Sequence, residues 1–454
     1  MLQRILFEDK KDGCWRNIRE LNIRWFRDDD DGFDENSGLV QEVIGFSNRL
    51  INSLPGIKKL YMRKYDSDRT TMLMFNQLAN RYSSQLRYLY SSSALRFALN
   101  SSYESLTHLR IPYETPSNSS LAIPKIMIER LQVLELFNIN RSFSWNKLLG
   151  SANGHQQISV FPSLRYLKLV FGIFDTNQML DESNESKDAC KPMSISFPSL
   201  DTLIVNGNYA SCSHIIIQRY PRHMKKVDLQ LNATSLFLMK QIGLKYIDDL
   251  SISVFTLTDS EEEIFYNSTN YFFGSDLGNQ ENEDLGPICK KSNFVLNSLS
   301  YMLNPKMIAW SNISSITFTG TVRVSVLLKI LKRVKTLEKL VVWSLDMDMD
   351  IDVVTSEKSL DASGHSSLSA LNTSIRSLSI FDFKKTDASY CIGQNMLNVV
   401  LALPQLQRLI SAEIVIESIK KYMQCRRTSG SGECIGSVCS CDMTHLSNIE
   451  LIKT

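Results

Sequence analysis

The sequence predicts an α/β protein: an irregular leucine-rich-repeat solenoid with a mainly parallel sheet on the concave face and helices and loops on the convex face. Three observations carry this. Phe161-Pro-Ser-Leu-Arg-Tyr-Leu recurs as Phe197-Pro-Ser-Leu-Asp-Thr-Leu, and looser copies run from Pro55 to Leu60 and from Pro404 to Leu409. The first copy reads L-x-x-L-x-L through Leu164, Leu167 and Leu169, and its end alternates with period two, as a half-buried strand does. Proline has a fixed φ and no amide hydrogen, so it suits the entry to such a strand.

The third observation is spacing. Leu21, Leu60, Leu89, Leu109, Leu134, Leu167, Leu203, Val227, Leu250, Ile316, Leu340, Leu378, Leu409 and Ile449 anchor fourteen such strands, on average about 33 residues apart. That leaves room for a helix in each interval. The intervals run from 20 residues (Leu89 to Leu109) to 66 (Leu250 to Ile316), and no buried Asn or Cys ladder marks them, hence the word irregular. An ordinary α/β domain with leucine-rich strands is the alternative.

Taken in order, residues 1–20 are a short N-terminal segment and 21–454 are repeats. The first strand is expected at 21–26. Apolar spacing places helices at 39–54, 71–82, 211–220, 233–242, 323–334, 390–403 and 414–423. Stretches 175–196, 258–293, 345–372 and 426–444 are rich in Ser, Asn, Asp, Glu or Gly and lack periodicity, so they read as protruding loops.

At 454 residues the chain exceeds what one compact core usually supports, a ceiling that a repeat array escapes. With 43% apolar and 22% charged residues the composition is that of a globular protein, and a net charge of +2 gives no bulk steering to polyanions or anionic membranes. No apolar run approaches a membrane span, and the acidic, lysine-containing start does not read as a signal peptide. Nine scattered cysteines fit reduced thiols. A monomer in cytoplasm or nucleus is expected, with no cofactor and no membrane.

Two clusters invite a metal. Asp346, Asp348, Asp350 and Glu357 fall on positions 1, 3, 5 and 12 of a calcium loop, but Ile351 stands where the turn needs glycine. An acidic solvated loop is the preferred reading. Cys425, Cys434, Cys439, Cys441 and His445 could surround zinc, yet they lack paired C-x2-C hooks, so zinc and free thiols both stay open. No Walker loop, G-x-S-x-G or H-E-x-x-H is present, so no catalytic residue is assigned.

Strand phase gives the candidate binding residues. If the anchors point inward, Arg24, Lys59, Tyr61, Arg63, Tyr88, Tyr90, His108 and Arg110 lie on the exposed sheet face. Aromatic and arginine side chains on adjacent strands are the material of binding hot spots. Large aromatics also strengthen sheets by cross-strand packing, so a purely structural role is the competing account.

The F-P-S-L-x-x-L units, irregular spacing and Ser/Asp-rich insertions resemble fungal F-box and leucine-rich-repeat-like proteins. The resemblance implies a substrate-recognition arm of a ubiquitin-ligase receptor, whose F-box would dock on the Skp1 adaptor of a cullin complex. Only twenty residues precede the first anchor and they hold no F-box pattern, so Skp1 and cullin are expected partners only if an F-box lies upstream. The expected function is a non-catalytic protein-interaction scaffold. Polyanion binding through the Tyr/Arg/His face and an enzyme with a dispersed site are the alternatives.

Overall fold

The structure is a computed structural model describing residues 17–24, 37–63, 69–92, 99, 102–113, 122–139, 143, 145–149, 159–172, 195–207, 219–240, 244–254, 261–274, 286–296, 309–347, 372–384, 392, 396–397, 399–428, 446 and 448–453. It is a mixed α/β protein dominated by parallel strands, in two compact units, Met1–Pro221 and Arg222–Thr454.

The first unit orders its elements as β1 (Glu20–Arg24), α1 (Ser37–Ser53), β2 (Lys59–Arg63), α2 (Arg69–Tyr82), β3 (Tyr88–Ser91), β4 (His108–Pro112), α3 (Lys125–Arg130) and β5 (Val133–Ile139). There follow α4 (Trp145–Leu148), β6 (Ser159–Val160), β7 (Tyr166–Phe171), β8 (Ile195–Ser196) and β9 (Thr202–Gly207). β1, β2, β3, β4, β5, β7 and β9 pair in sequence order, each parallel to the next, while β6 and β8 form a separate two-stranded ladder. Their register aligns Leu21, Leu60, Leu89, Leu109, Leu134, Leu167 and Leu203 in one column. Three residues earlier, Ile57, Leu86, Leu106, Leu131, Leu164 and Leu200 form a second buried column.

The first leucine of L-x-x-L is thus a core residue of the turn and the second a core residue of the strand. An aromatic cluster closes the C-terminal side of this unit, where Phe161 and Phe197 of the two F-P-S-L copies stack at 5.3 Å and Trp145 packs edge-on at 6.2 Å to Phe161. At the end of β9, Gly207 has φ +142°, and a Cβ there would lie 2.5 Å from Phe171 Cβ, so glycine is what lets the two strands approach.

The second unit runs β10 (His223–Leu231), α5 (Ala233–Met239), β11 (Tyr246–Val254), α6 (Glu262–Phe273), β12 (Ile288–Leu296), β13 (Ser315–Arg323), α7 (Val324–Arg333) and β14 (Lys339–Asp346). It ends with β15 (Ser377–Phe383), β16 (Arg408–Ser411), α8 (Glu413–Thr428) and β17 (Glu450–Lys453). These strands too pair in sequence order and in parallel. Leu340, Leu378 and Leu409 share one register position and are fully buried, as are Leu60, Leu134, Leu167 and Leu203 in the first unit.

Four expectations are corrected. The stretch 258–293 is not a loop throughout: its described residues hold α6, with Phe265, Tyr266, Phe272 and Phe273 buried, and most of β12. The 66-residue gap between Leu250 and Ile316 therefore contains a whole strand. β12 puts Ser292 opposite Leu250 and Phe294 opposite Ile316, so the anchor column steps by two residues across it. Likewise Leu451, not Ile449, is the residue opposite Leu409. The other three insertions are narrower than expected, since β8 occupies 195–196, β14 extends to Asp346 and α8 to Thr428, and Asn372 is fully buried. Most of what remains of those insertions and most of helix 211–220 lie outside the described residues, while the described part of 390–403 is largely helical.

Two hydrogen-bond ladders explain the repeat. At the N-terminal margin of six strands of the first unit and three of the second, the preceding carbonyl accepts two consecutive amides of the next strand: Arg19 O takes Lys58 N (2.8 Å) and Lys59 N (2.9 Å), and Arg165 O takes Asp201 N (2.8 Å) and Thr202 N (2.9 Å). Lys58, Arg87, Thr107 and Gln132 do the same between them, as do Ser314, Glu338 and Arg376 in the second unit. The second ladder uses side chains. Four residues before an anchor, Gln85, Ser163, Ser199, Thr336 and Ser374 donate to the carbonyls of Pro55, Glu129, Pro162, Ser311 and Lys335, each five residues before the preceding anchor of its column. The motif F-P-S-L is this ladder in sequence form. Its serine reaches back one repeat, and in the first copy its proline supplies the carbonyl the next serine takes.

Candidate functional site

The exposed face of β2–β5 is built from two register rows. Glu20, Lys59, Tyr88, His108, Val133 and Tyr166 follow one another across the strands, and Asn22, Tyr61, Tyr90, Arg110, Glu135 and Lys168 form the row two residues on. Between the rows lies a concavity of about 380 Å³, lined by Tyr61, Tyr88, Tyr90, His108, Arg110, Val133 and Glu135. Five of the eight residues chosen by strand phase therefore surround one space, and Lys59 stands beside it, 5.0 Å over the Tyr88 ring. Arg24 and Arg63 are register partners on β1 and β2, but their side chains lie outside the described set.

The rings brace one another. Tyr88 stacks on His108 at 4.0 Å, Tyr61 meets Tyr90 at 6.2 Å, and the Arg110 guanidinium lies 4.6 Å over Tyr90. The cations are matched as well. Arg110 Nε is 3.3 Å from Glu135, whose side chain is 19% exposed, and Lys59 is 3.4 Å from Glu20, whose ion pair holds its ammonium pKa above the usual value. The sequence reading overlooked Glu135, although it flanks Leu134 in the same phase. It is the residue that keeps the face from being simply basic.

His108 is half-buried, its Nδ1 2.9 Å from Thr107 Oγ1. Burial, and then the Lys59 ammonium, push its pKa below the usual 6.5. Between the folded and unfolded values the unfolded chain binds a proton that the folded one does not. Folding stability should therefore stand at its full value above about pH 6.5 and fall as pH drops below that. Denaturant titrations from about pH 8 to about pH 5 should show this slope, and His108→Gln should flatten it. An unchanged slope in the variant would assign the acid sensitivity to other groups.

In the second unit Asp248 bonds both Lys290 (2.7 Å) and His223 (3.1 Å), which hold its carboxyl below the usual range, Lys290 first. Trp343 and Phe381, 6.1 Å apart on β14 and β15, are exposed apolar rings. Burial pushes the Cys289 thiol up to about 12, so it is no nucleophile at neutral pH. Among the described residues no group of His, Cys, Asp and Glu could hold a metal ion. Of the zinc candidates Cys425 lies on α8, its side chain outside the described set together with Cys434, Cys439, Cys441 and His445; of the calcium candidates only Asp346, ending β14, is described.

No protein-family model matches the chain, and no curated protein matches it. No helix among the described residues is long and apolar enough to cross a membrane.

Proposed function

We propose that this is a non-catalytic protein-interaction module, a leucine-rich-repeat solenoid whose docking site is the concavity on β2–β5. The observation that carries the reading is the convergence of Tyr61, Tyr88, Tyr90, His108 and Arg110, from three consecutive strands, around one space of about 380 Å³. Rigid aromatic side chains lose little entropy on binding, and their mutual bracing preorganises the face further. The repeat-solenoid assignment draws its support from the recurring turn ladder and the shared anchor column, which make successive strands from β1 to β9 in the main sheet copies of one another. The resemblance to fungal F-box proteins extends the proposal to the recognition arm of a ubiquitin-ligase receptor. Nine scattered cysteines favour a cytoplasmic or nuclear setting.

Binding of nucleic acid is less well supported. A phosphodiester entering the concavity would meet Glu135, and Tyr88 and His108 already spend one face each on their own stack. The test is affinity purification from the native cell with Tyr88→Ala/Tyr90→Ala beside the unaltered chain. Partner recovery should fall at least about tenfold, about 1.4 kcal/mol, at a nearly unchanged melting temperature. Recovery of Skp1 and cullin would support the ligase arm. Undiminished recovery by a folded double variant would sink the docking site.

A further inference from the structure

The ladder of paired amides fixes Arg19, Lys58, Arg87, Thr107, Gln132 and Arg165 as consecutive rungs along the N-terminal margin of the first unit's sheet. The first three are all cationic and all exposed. Rungs of a sheet lie about 4.8 Å apart, so three positive residues fall within about 10 Å of margin. The column meets no acid until Asp201, its seventh rung. Arg19 Nη1 donates to the Gly56 carbonyl at 3.3 Å, on the turn leading to Lys58. Lys58 and Arg87 enter no ion pair among the described residues, in contrast to Lys59 and Arg110 one and two rows inward, which hold Glu20 and Glu135. Two cations without an ion pair, Lys58 and Arg87, are therefore at the margin, and the aromatic depth lies immediately beside them, since they directly precede Lys59 and Tyr88.

We propose that this margin and the concavity together form a track for an acidic peptide segment of a partner protein. Carboxylates of the segment pair with Lys58 and Arg87, and an aromatic or aliphatic side chain next to them enters the space between Tyr61, Tyr88 and Arg110. This rests on the reading of the concavity as the docking site and adds the chemistry of the occupant. A peptide suits the surface better than a nucleic acid because it can alternate acids with apolar groups. The surface itself alternates a cationic margin with a ring-lined hollow that contains a carboxylate. Long-range attraction at the margin would also make association fast and salt-sensitive.

The probes are a short fluorescent peptide in which Glu and Asp flank a central Phe, its counterpart with Lys and Arg in place of the acids, and an oligouridylate of matching length. Each is titrated by anisotropy into the full chain. The acidic peptide should bind saturably, weaken with salt, and lose at least about tenfold in affinity to Lys58→Glu/Arg87→Glu, which should in turn gain affinity for the basic peptide. Both positions are exposed and held through their backbone, so the melting temperature reports directly on whether the variant is folded. Binding of the basic peptide or the oligouridylate to the unaltered chain as tightly as the acidic one would overturn the proposal, as would no saturable binding of the acidic peptide. If partner recovery falls with Tyr88→Ala/Tyr90→Ala while the charge reversal changes nothing, the track is wrong and the docking site stands.

Discussion

Replacing Asn372 by leucine should destabilise the second unit by at least about 3 kcal/mol, although the side chains are nearly equal in size. Asn372 is fully buried and its amide is saturated. Its Nδ2 donates to the carbonyls of Leu331 (3.1 Å) and Val334 (2.7 Å), and its Oδ1 accepts from the amides of Ser374 (2.8 Å) and Ile375 (3.2 Å). The Leu331 carbonyl lies in the last turn of α7 and the Val334 carbonyl just past it, where no amide of the helix remains to pair with them. The two amides open the turn into β15. One side chain thus closes a helix and starts the next strand, and leucine would leave the Leu331 carbonyl and the Ser374 and Ile375 amides unpaired, at roughly 1–3 kcal/mol each before relaxation, and the Val334 carbonyl with only the long 3.4 Å bond from Leu337 N. Urea denaturation of the variant is the measurement, and a loss below about 1 kcal/mol would mean that water or a shifted backbone takes over all four bonds.

Leu167→Ala should cost about 2–5 kcal/mol. Leu167 is fully buried in the column between Leu134 and Leu203, with Leu164 and Leu169 buried beside it. Strands bonded on both sides cannot slide inward to fill the space, so the expected value lies toward the upper end. Thermal and denaturant melts would show it. A loss under about 1 kcal/mol would require the neighbouring column to collapse into the gap.

How far the sequence disclosed this protein depended on which residues carried the repeat. Where leucine occupied both L-x-x-L positions, as in Leu131 and Leu134 or Leu164 and Leu167, the strand, its register and its buried face were all readable. β12 was hidden because Ser292 stands at the anchor, in a setting of Lys290, Lys291 and Asn293. That serine is buried through hydrogen bonds with the next strand's turn, where its hydroxyl donates to the Asn312 carbonyl and Ser314 Oγ donates to its own carbonyl at 2.8 Å. Hydrophobic periodicity cannot register an anchor that is satisfied by hydrogen bonding. α6 had a signal that was passed over: Phe265, Tyr266, Phe272 and Phe273 recur at helical spacing inside an acidic, asparagine-rich stretch.

The site divides in the same way. Period-two alternation was enough to bring Tyr61, Tyr88, Tyr90, His108 and Arg110 to one face. It could not show that Glu135 neutralises Arg110, because a cross-strand pair depends on which strands are neighbours. Nor could it show the margin of Arg19, Lys58 and Arg87, which precedes the alternating stretch and is defined only by the paired-amide ladder.

That ladder has a consequence for which substitutions the fold tolerates. The ladder itself uses only backbone amides and carbonyls, and Arg19, Lys58, Arg87, Thr107, Gln132 and Arg165 occupy equivalent places in it with differing side chains. The architecture is indifferent to what is written there. Substitutions along this line should carry little penalty to folding, so the charge of the margin can be rewritten while the buried leucines hold the strands in register. A surface of that kind has two layers, one constrained by packing and one left open to revision.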